Sequence, residues 1–253
     1  MDLIQGIALA TTASATVLLV RILLVLQATR FAALTFYLAH HLIWGISLIL
    51  VPRTGPWYAL LYKISTPVEW VAATWCVAHL LGKGFAAYPG IRTMSRWATW
   101  GASLIAVCFA LLLVGYFWQG DYLGRRTLLY LEVADRSVLL SLALVIILTV
   151  IFFSRYPFRL QSNTWTSLIA FSAIVLSMAV ARLFDSLAPA MAAFPADLTQ
   201  LVFESGCYLV WAGNFRREEA QGPPHVIITY AGEHELLRQL QAMDGILRRA
   251  GRG

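Results

Sequence analysis

The sequence predicts an all-α fold: a polytopic bundle of seven transmembrane helices followed by a short amphipathic helix. Three observations carry this: seven long apolar runs between Leu3 and Phe215, a composition far from that of soluble chains, and short joints rich in Pro, Gly and Arg. An apolar run of ~18 or more residues is the length a bilayer asks of a helix. Of the 253 residues 59% are hydrophobic and 13% charged, with a mean hydropathy of +0.70; soluble domains carry about 25% charged residues. The expected division is a membrane domain over 1–217 and a cytoplasmic tail over 218–253, with no room for a further soluble domain.

The first run spans Leu3 to Gln27. It begins Met-Asp-Leu, with an acid where a signal peptide carries a base, it is too long for an h-region, and Arg21 stands near its far end, so it reads as a true span. The second runs from Phe31 to Val51, the third from Trp57 to Leu81, the fourth from Trp97 to Trp118. The fifth covers Val133 to Ser154, the sixth Thr164 to Leu187, the seventh Ala196 to Phe215. Pro52, Pro56, Gly82, Gly84, Pro157, Pro189 and Pro195 punctuate the joints, where a missing donor does least harm. Trp57, Tyr58, Trp97, Trp100, Phe117 and Trp118 gather at run ends, as an aromatic belt at headgroup depth requires.

Charge gives the direction. The net charge is +6, and in a membrane protein such an excess marks the cytoplasmic rim and not a nucleic-acid footprint. Arg30, Lys83, Arg92, Arg96, Arg155, Arg159, Arg216 and Arg217 follow odd-numbered spans, whereas Arg53, Arg125 and Arg126 follow even-numbered ones. The positive-inside rule therefore places the N-terminus outside and the C-terminus inside, in the cell (inner or plasma) membrane. Cys76, Cys108 and Cys207 show no CxxC spacing and read as small core residues.

Ionisable groups within spans are costly unless they face protein or find partners. His40 and His41 in span two, Glu69 in span three and Glu204 in span seven form a candidate buried layer. At 1.5 Å per residue His41 lies ~15 Å and Glu69 ~18 Å from the ends of their runs, and the short joint between the two spans leaves a His41–Glu69 contact open. Tyr62, Ser65, Thr66, Ala73 and Cys76 share the side of Glu69, while Asp197, Gln200, Glu204, Cys207 and Tyr208 make a polar stripe on span seven. Two readings stand: a core that titrates, moves protons or holds a small polar ligand, and interhelical hydrogen bonding that fixes packing, which ranks ahead. A metal site ranks below both, because adjacent His40 and His41 point about 100° apart.

An outer charged layer is expected from Lys63, Asp135, Arg136, Arg182 and Asp185, with Glu132 and Asp197 near it. Glu132 and Arg136 are spaced i,i+4, and Arg182 and Asp185 i,i+3, as neutralising rim pairs would be. The alternative is an external cup for an anion built on Lys63, Arg125, Arg126 and Arg182. Arg21 and His79, near inner ends, read as snorkelling or headgroup contacts.

Several classes fall away. Span seven has neither the lysine that retinal requires nor the HxxxH pair of seven-span zinc hydrolases, and His79 and His40 lie at unmatched depths for a b-type haem. No G-x-S-x-G, P-loop or GxGxxG occurs in a usable context. No catalytic residue, metal site or cofactor is expected, and an intramembrane enzyme ranks third among the functions.

Beyond a Gly222-Pro223-Pro224 break lies a β-prone run, Val226 to Tyr230, and then a helix over 233–249. Leu236, Leu240, Met243 and Leu247 make one apolar stripe on it. A helix this short must dock: with Arg238, Arg248, Arg249 and Arg252 close by, on an anionic leaflet first, otherwise on a protein partner or a second copy. In this layout, long apolar runs ending in a charged tail, the chain resembles uncharacterised bacterial seven-span integral membrane proteins, a resemblance of architecture that implies no functional residue. The leading expectation is a non-enzymatic sensor, signal-relay or accessory subunit in the lipid bilayer, with no nucleic-acid partner. The alternative is a small-solute or proton-coupled transporter using the His/Glu layer, favoured by Pro67 but lacking an internal repeat.

Overall fold

The computed structural model describes residues 3–25, 29–51, 56–86, 88–117, 123–155, 159–160, 162–187, 189–215, 225–226 and 233–250. They form helices α1 (Leu3–Leu24), α2 (Ala32–Leu50), α3 (Pro56–Gly84), α4 (Pro89–Phe117), α5 (Leu123–Arg155), α6 (Ser162–Leu187), α7 (Pro189–Asn214) and α8 (Glu233–Ala250). One antiparallel pair of two-residue strands joins β1 (Arg159–Leu160) to β2 (His225–Val226), with Arg159 opposite Val226. The β-prone run thus contributes its start to a pairing with the α5–α6 joint, and 227–232 lie outside the described residues.

Helix ends differ from the apolar runs in an instructive way. The fourth helix starts at Pro89 instead of Trp97, the fifth at Leu123 instead of Val133, and the seventh at Pro189 instead of Ala196, which places Pro195 within the helix and not in a joint. Hydropathy falls where Arg92, Arg96, Arg125 and Arg126 begin, but arginine is a good helix former, so the backbone stays helical. Pro56, Pro89 and Pro189 each open a helix, where the missing N–H would be unsatisfied in any case.

Two helices carry stretches long and apolar enough to cross a membrane: Leu131–Phe152 in α5, with mean hydropathy 2.2, and Ser162–Phe184 in α6, with 2.0. By length and apolarity together, the described residues show these two rather than seven; α1 offers a shorter stretch, Leu9–Leu24. In α3 the reason is visible, since Lys63, Ser65, Thr66, Glu69 and His79 dilute the run.

Consecutive helices pack on one another from α1 to α7, and α7 closes on α1. Thr11 Oγ1 lies 2.8 Å from Ser205 Oγ, and Arg21 Nε donates to the carbonyl of Phe215 at 3.3 Å, so α1 and α7 run in the same direction. Arg21 is thereby placed on the C-terminal end of α7, where a cation is favoured. Helix α3 packs on α2, α4, α5 and α6 and is the central post. Gly45 of α2 brings α1 close: a Cβ there would stand 2.5 Å from Thr12 Oγ1.

Large apolar side chains lie on the surface, and several polar groups turn in. Each of α1 to α7 exposes large apolar side chains, among them Val17, Ile43, Val71, Leu104, Leu144, Leu176 and Val202. Thr74, Asp135, Ser167 and Glu204 are buried instead.

Candidate functional site

Tyr37 and His41 lie one helical turn apart on α2, so their rings share a face and stack with centroids 6.2 Å apart. Glu204 and Tyr208 repeat that spacing on α7, and Tyr208 Oη donates to Glu204 Oε1 at 2.8 Å. His41 Nε2 completes the cluster, 3.6 Å from the same oxygen, with its ring edge-on to Tyr208. Glu204 is 1% exposed, so this carboxylate has left solvent and depends on these two groups. Phe171 of α6 fixes the arrangement from beneath, edge-on to Tyr37 at 5.0 Å and touching Trp211, whose Nε1 donates to Ser167 Oγ.

A second carboxylate is held by different means. Trp70 Nε1 of α3 donates to Asp135 Oδ1 at 2.8 Å, and Arg182 Nε of α6 faces Asp135 Oδ2 at 3.4 Å. Asp135 is buried, whereas the arginine reaches it from a more exposed position.

Glu69 is the third. It neighbours Trp70 on α3 and lines a small void with Tyr37, Ala73, Asp135, Val138 and Met178, with space for about one water molecule. Among the described residues it makes no hydrogen bond and no ion pair. Tyr37 spans the gap, since its ring stacks on His41 beside Glu204 and also lines the void beside Glu69. The result is one polar layer running through α7, α2, α3, α5 and α6. It sets three carboxylates against one imidazole and one guanidinium.

The expected site residues are therefore distributed as follows. His41 meets Glu204 and not Glu69, because α3 turns Glu69 toward the void beside α5. His40 takes a separate partner, Ser65 Oγ at 3.1 Å, in keeping with the angle between adjacent helical residues. Asp135 and Arg182 join each other, and Asp135 reaches inward to the layer of Glu69. Lys63 is half-buried one and a half turns before Glu69. Glu132 and Arg136 do not pair with each other, and the side chain of Asp185 lies outside the described residues. Trp70 and Tyr37 escaped the sequence reading; a tyrosine one turn from His41 was the available signal.

The tail helix docks within the chain. Leu240 is 0% exposed, Leu247 packs against the core, and Met243 is half-buried; the Leu236 side chain lies outside the described residues. Between them Asp244 accepts hydrogen bonds from the amide nitrogens of Gly90 and Ile91, the first turn of α4. A carboxylate there satisfies orphan donors and meets the positive end of the helix dipole. Asp244 was also missed, since its partners are backbone groups that leave no trace in sequence.

Chemically, the layer offers acids, an imidazole and phenols, but no activated nucleophile, and among the described residues no group of three metal-ligating side chains occurs. No protein-family model, curated protein or solved structure matches the chain.

Proposed function

We propose that the chain is a seven-span protein of the cell membrane, α1 starting outside and α8 lying inside, that works as a non-enzymatic sensor or signal relay: the carboxyl layer takes up a proton or small cation, and docking of α8 on α4 is the output. The membrane reading is supported by the inverted surface, since large apolar side chains are exposed on all seven helices while Thr74, Asp135, Ser167 and Glu204 are buried. The positive-inside rule supports the direction.

One observation carries the functional reading. Of three carboxyls in one layer, Glu204 has His41 and Tyr208, Asp135 has Arg182 and Trp70, and Glu69 faces a void and makes no ion pair among the described residues. An uncompensated charge at such depth costs several kcal/mol; a carboxyl avoids it by holding a proton or recruiting a cation. Because α3 touches both α4 and the acid layer, a change at Glu69 has a short route to the surface that receives α8. Hydrogen exchange of residues 233–250 in lipid nanodiscs tests the coupling. Protection should change with pH in the wild type and not in Glu69→Gln; protection that changes equally in both rejects the relay.

Pro67 favours a second reading. It lies two residues before Glu69 and removes a backbone hydrogen bond from the middle of α3, as in the interrupted helices of carriers. Proton-coupled uptake into proteoliposomes that Glu69→Gln abolishes would establish transport in place of relay.

A further inference from the structure

At the end of the bundle that receives α8, the C-terminal turns of α3 and the N-terminal turns of α4 enclose a cavity of about 230 Å³. His79 and Lys83, one turn apart on α3, face Arg92 and Arg96, one turn apart on α4, with Trp75 and Trp100 at the sides; among the described residues no acid lines it. Gly82 forms the floor: with no side chain there, Arg96 Cδ and Arg92 Cγ lie 3.7 and 3.8 Å from where a Cβ would stand. We propose that this cavity binds the phosphate of an anionic phospholipid headgroup.

Four features support the assignment. Cations converge with no carboxylate beside them among the described residues, which favours an anion, and arginine pairs suit the fork geometry of phosphate oxygens. The volume falls below the ~300–1,000 Å³ of pockets for drug-sized ligands, so it fits a headgroup and leaves the rest of the molecule outside. The surface of the same two helices is apolar, with Val71, Trp97, Leu104 and Ile105 exposed, and the indole rings that line the cavity suit headgroup depth. Basic pockets between helices on the inner side of membrane proteins hold anionic headgroups in this manner.

The basic groups are already positioned. His79 Nε2 donates to the carbonyl of Arg30 at 2.8 Å, which fixes the ring, and Lys83 Nζ stands 3.6 Å over the Phe31 ring. Burial first, and the charge of Arg30 second, push the Lys83 ammonium down to about 8. A bound phosphate supplies an opposite charge that no described lining residue provides. The inference uses the membrane reading but not the acid layer, so it stands or falls apart from the role of Glu69.

Native mass spectrometry of the delipidated full chain, titrated with phosphatidylglycerol or phosphatidylcholine, tests it. Retention of phosphatidylglycerol should exceed that of phosphatidylcholine, Arg92→Gln and Arg96→Gln should each weaken it about fivefold, and Gly82→Leu should fill the floor and abolish the preference while leaving helicity unchanged. Equal retention of the two lipids, or a preference untouched in folded Gly82→Leu, overturns the proposal. Inorganic phosphate that shifts Trp100 fluorescence with no phosphatidylglycerol preference overturns the lipid and assigns the cavity to a soluble anion.

Discussion

His41 Nε2 lies 3.6 Å from Glu204 Oε1, and the same oxygen accepts the Tyr208 hydroxyl at 2.8 Å. Two polar partners for one buried carboxylate make each of them consequential. Tyr208→Phe removes the closer one at nearly constant volume and is expected to cost about 0.6 to 1.7 kcal/mol, the range for polar contacts inside membranes, read as a lower melting temperature. Glu204→Gln, which keeps an acceptor and removes the charge, should remove the dependence on His41, so His41→Gln added to it should cost less than in the wild type.

The contact between Asp244 and the amide nitrogens of Gly90 and Ile91 can be broken from either side. Asp244→Ala removes the acceptor, worth about 0.5 to 2 kcal/mol at a helix N-terminus. Gly90→Ala inserts a Cβ that would stand 2.7 Å from the Asp244 carbonyl and 2.8 Å from its carboxylate, so the tail helix must move. Both substitutions should raise hydrogen exchange across residues 233–250, and unchanged protection in both would show that Leu240 and Leu247 hold α8 alone.

Lys83 gives the basic cavity a pH dependence of definite sign. Its folded value of about 8 lies below the ordinary 10.5, so between those values the unfolded chain binds more proton and stability rises with pH, while below about 8 the contribution is constant. Anion binding follows the opposite course: full charge below about 8, and weaker phosphatidylglycerol retention as pH rises through it. Arg92 and Arg96 face the same cavity, Arg30 acts on Lys83, and His79, the remaining group facing the cavity, is held on the Arg30 carbonyl. Lys83→Arg should therefore flatten retention between about pH 7.5 and about pH 9.5; a slope that persists would place the titration elsewhere.

What the sequence disclosed, and what it withheld, follows from which groups carry the contacts. Helices were legible from apolar runs, but the starts of α4, α5 and α7 were not, because helix propensity continues where hydropathy stops. His41, Glu69 and Glu204 were legible as charges at depth; that Glu204 and not Glu69 meets His41 depends on the rotation of α3, which no periodicity records. Asp135 has the spacing of a rim acid, yet Trp70 draws it inward. The tail stripe through Leu240 and Leu247 was visible, whereas its receiver, the backbone of Gly90, has no side chain to announce it.

We propose that Glu69 carries the exchangeable proton of the acid layer. Infrared difference titration of the full chain in nanodiscs reads protonated carboxyl groups directly. A protonated-carboxyl band is expected that appears and disappears reversibly with pH, persists in Glu204→Gln and is lost in Glu69→Gln. A band unchanged by Glu69→Gln, or no such band in the wild type, would contradict it.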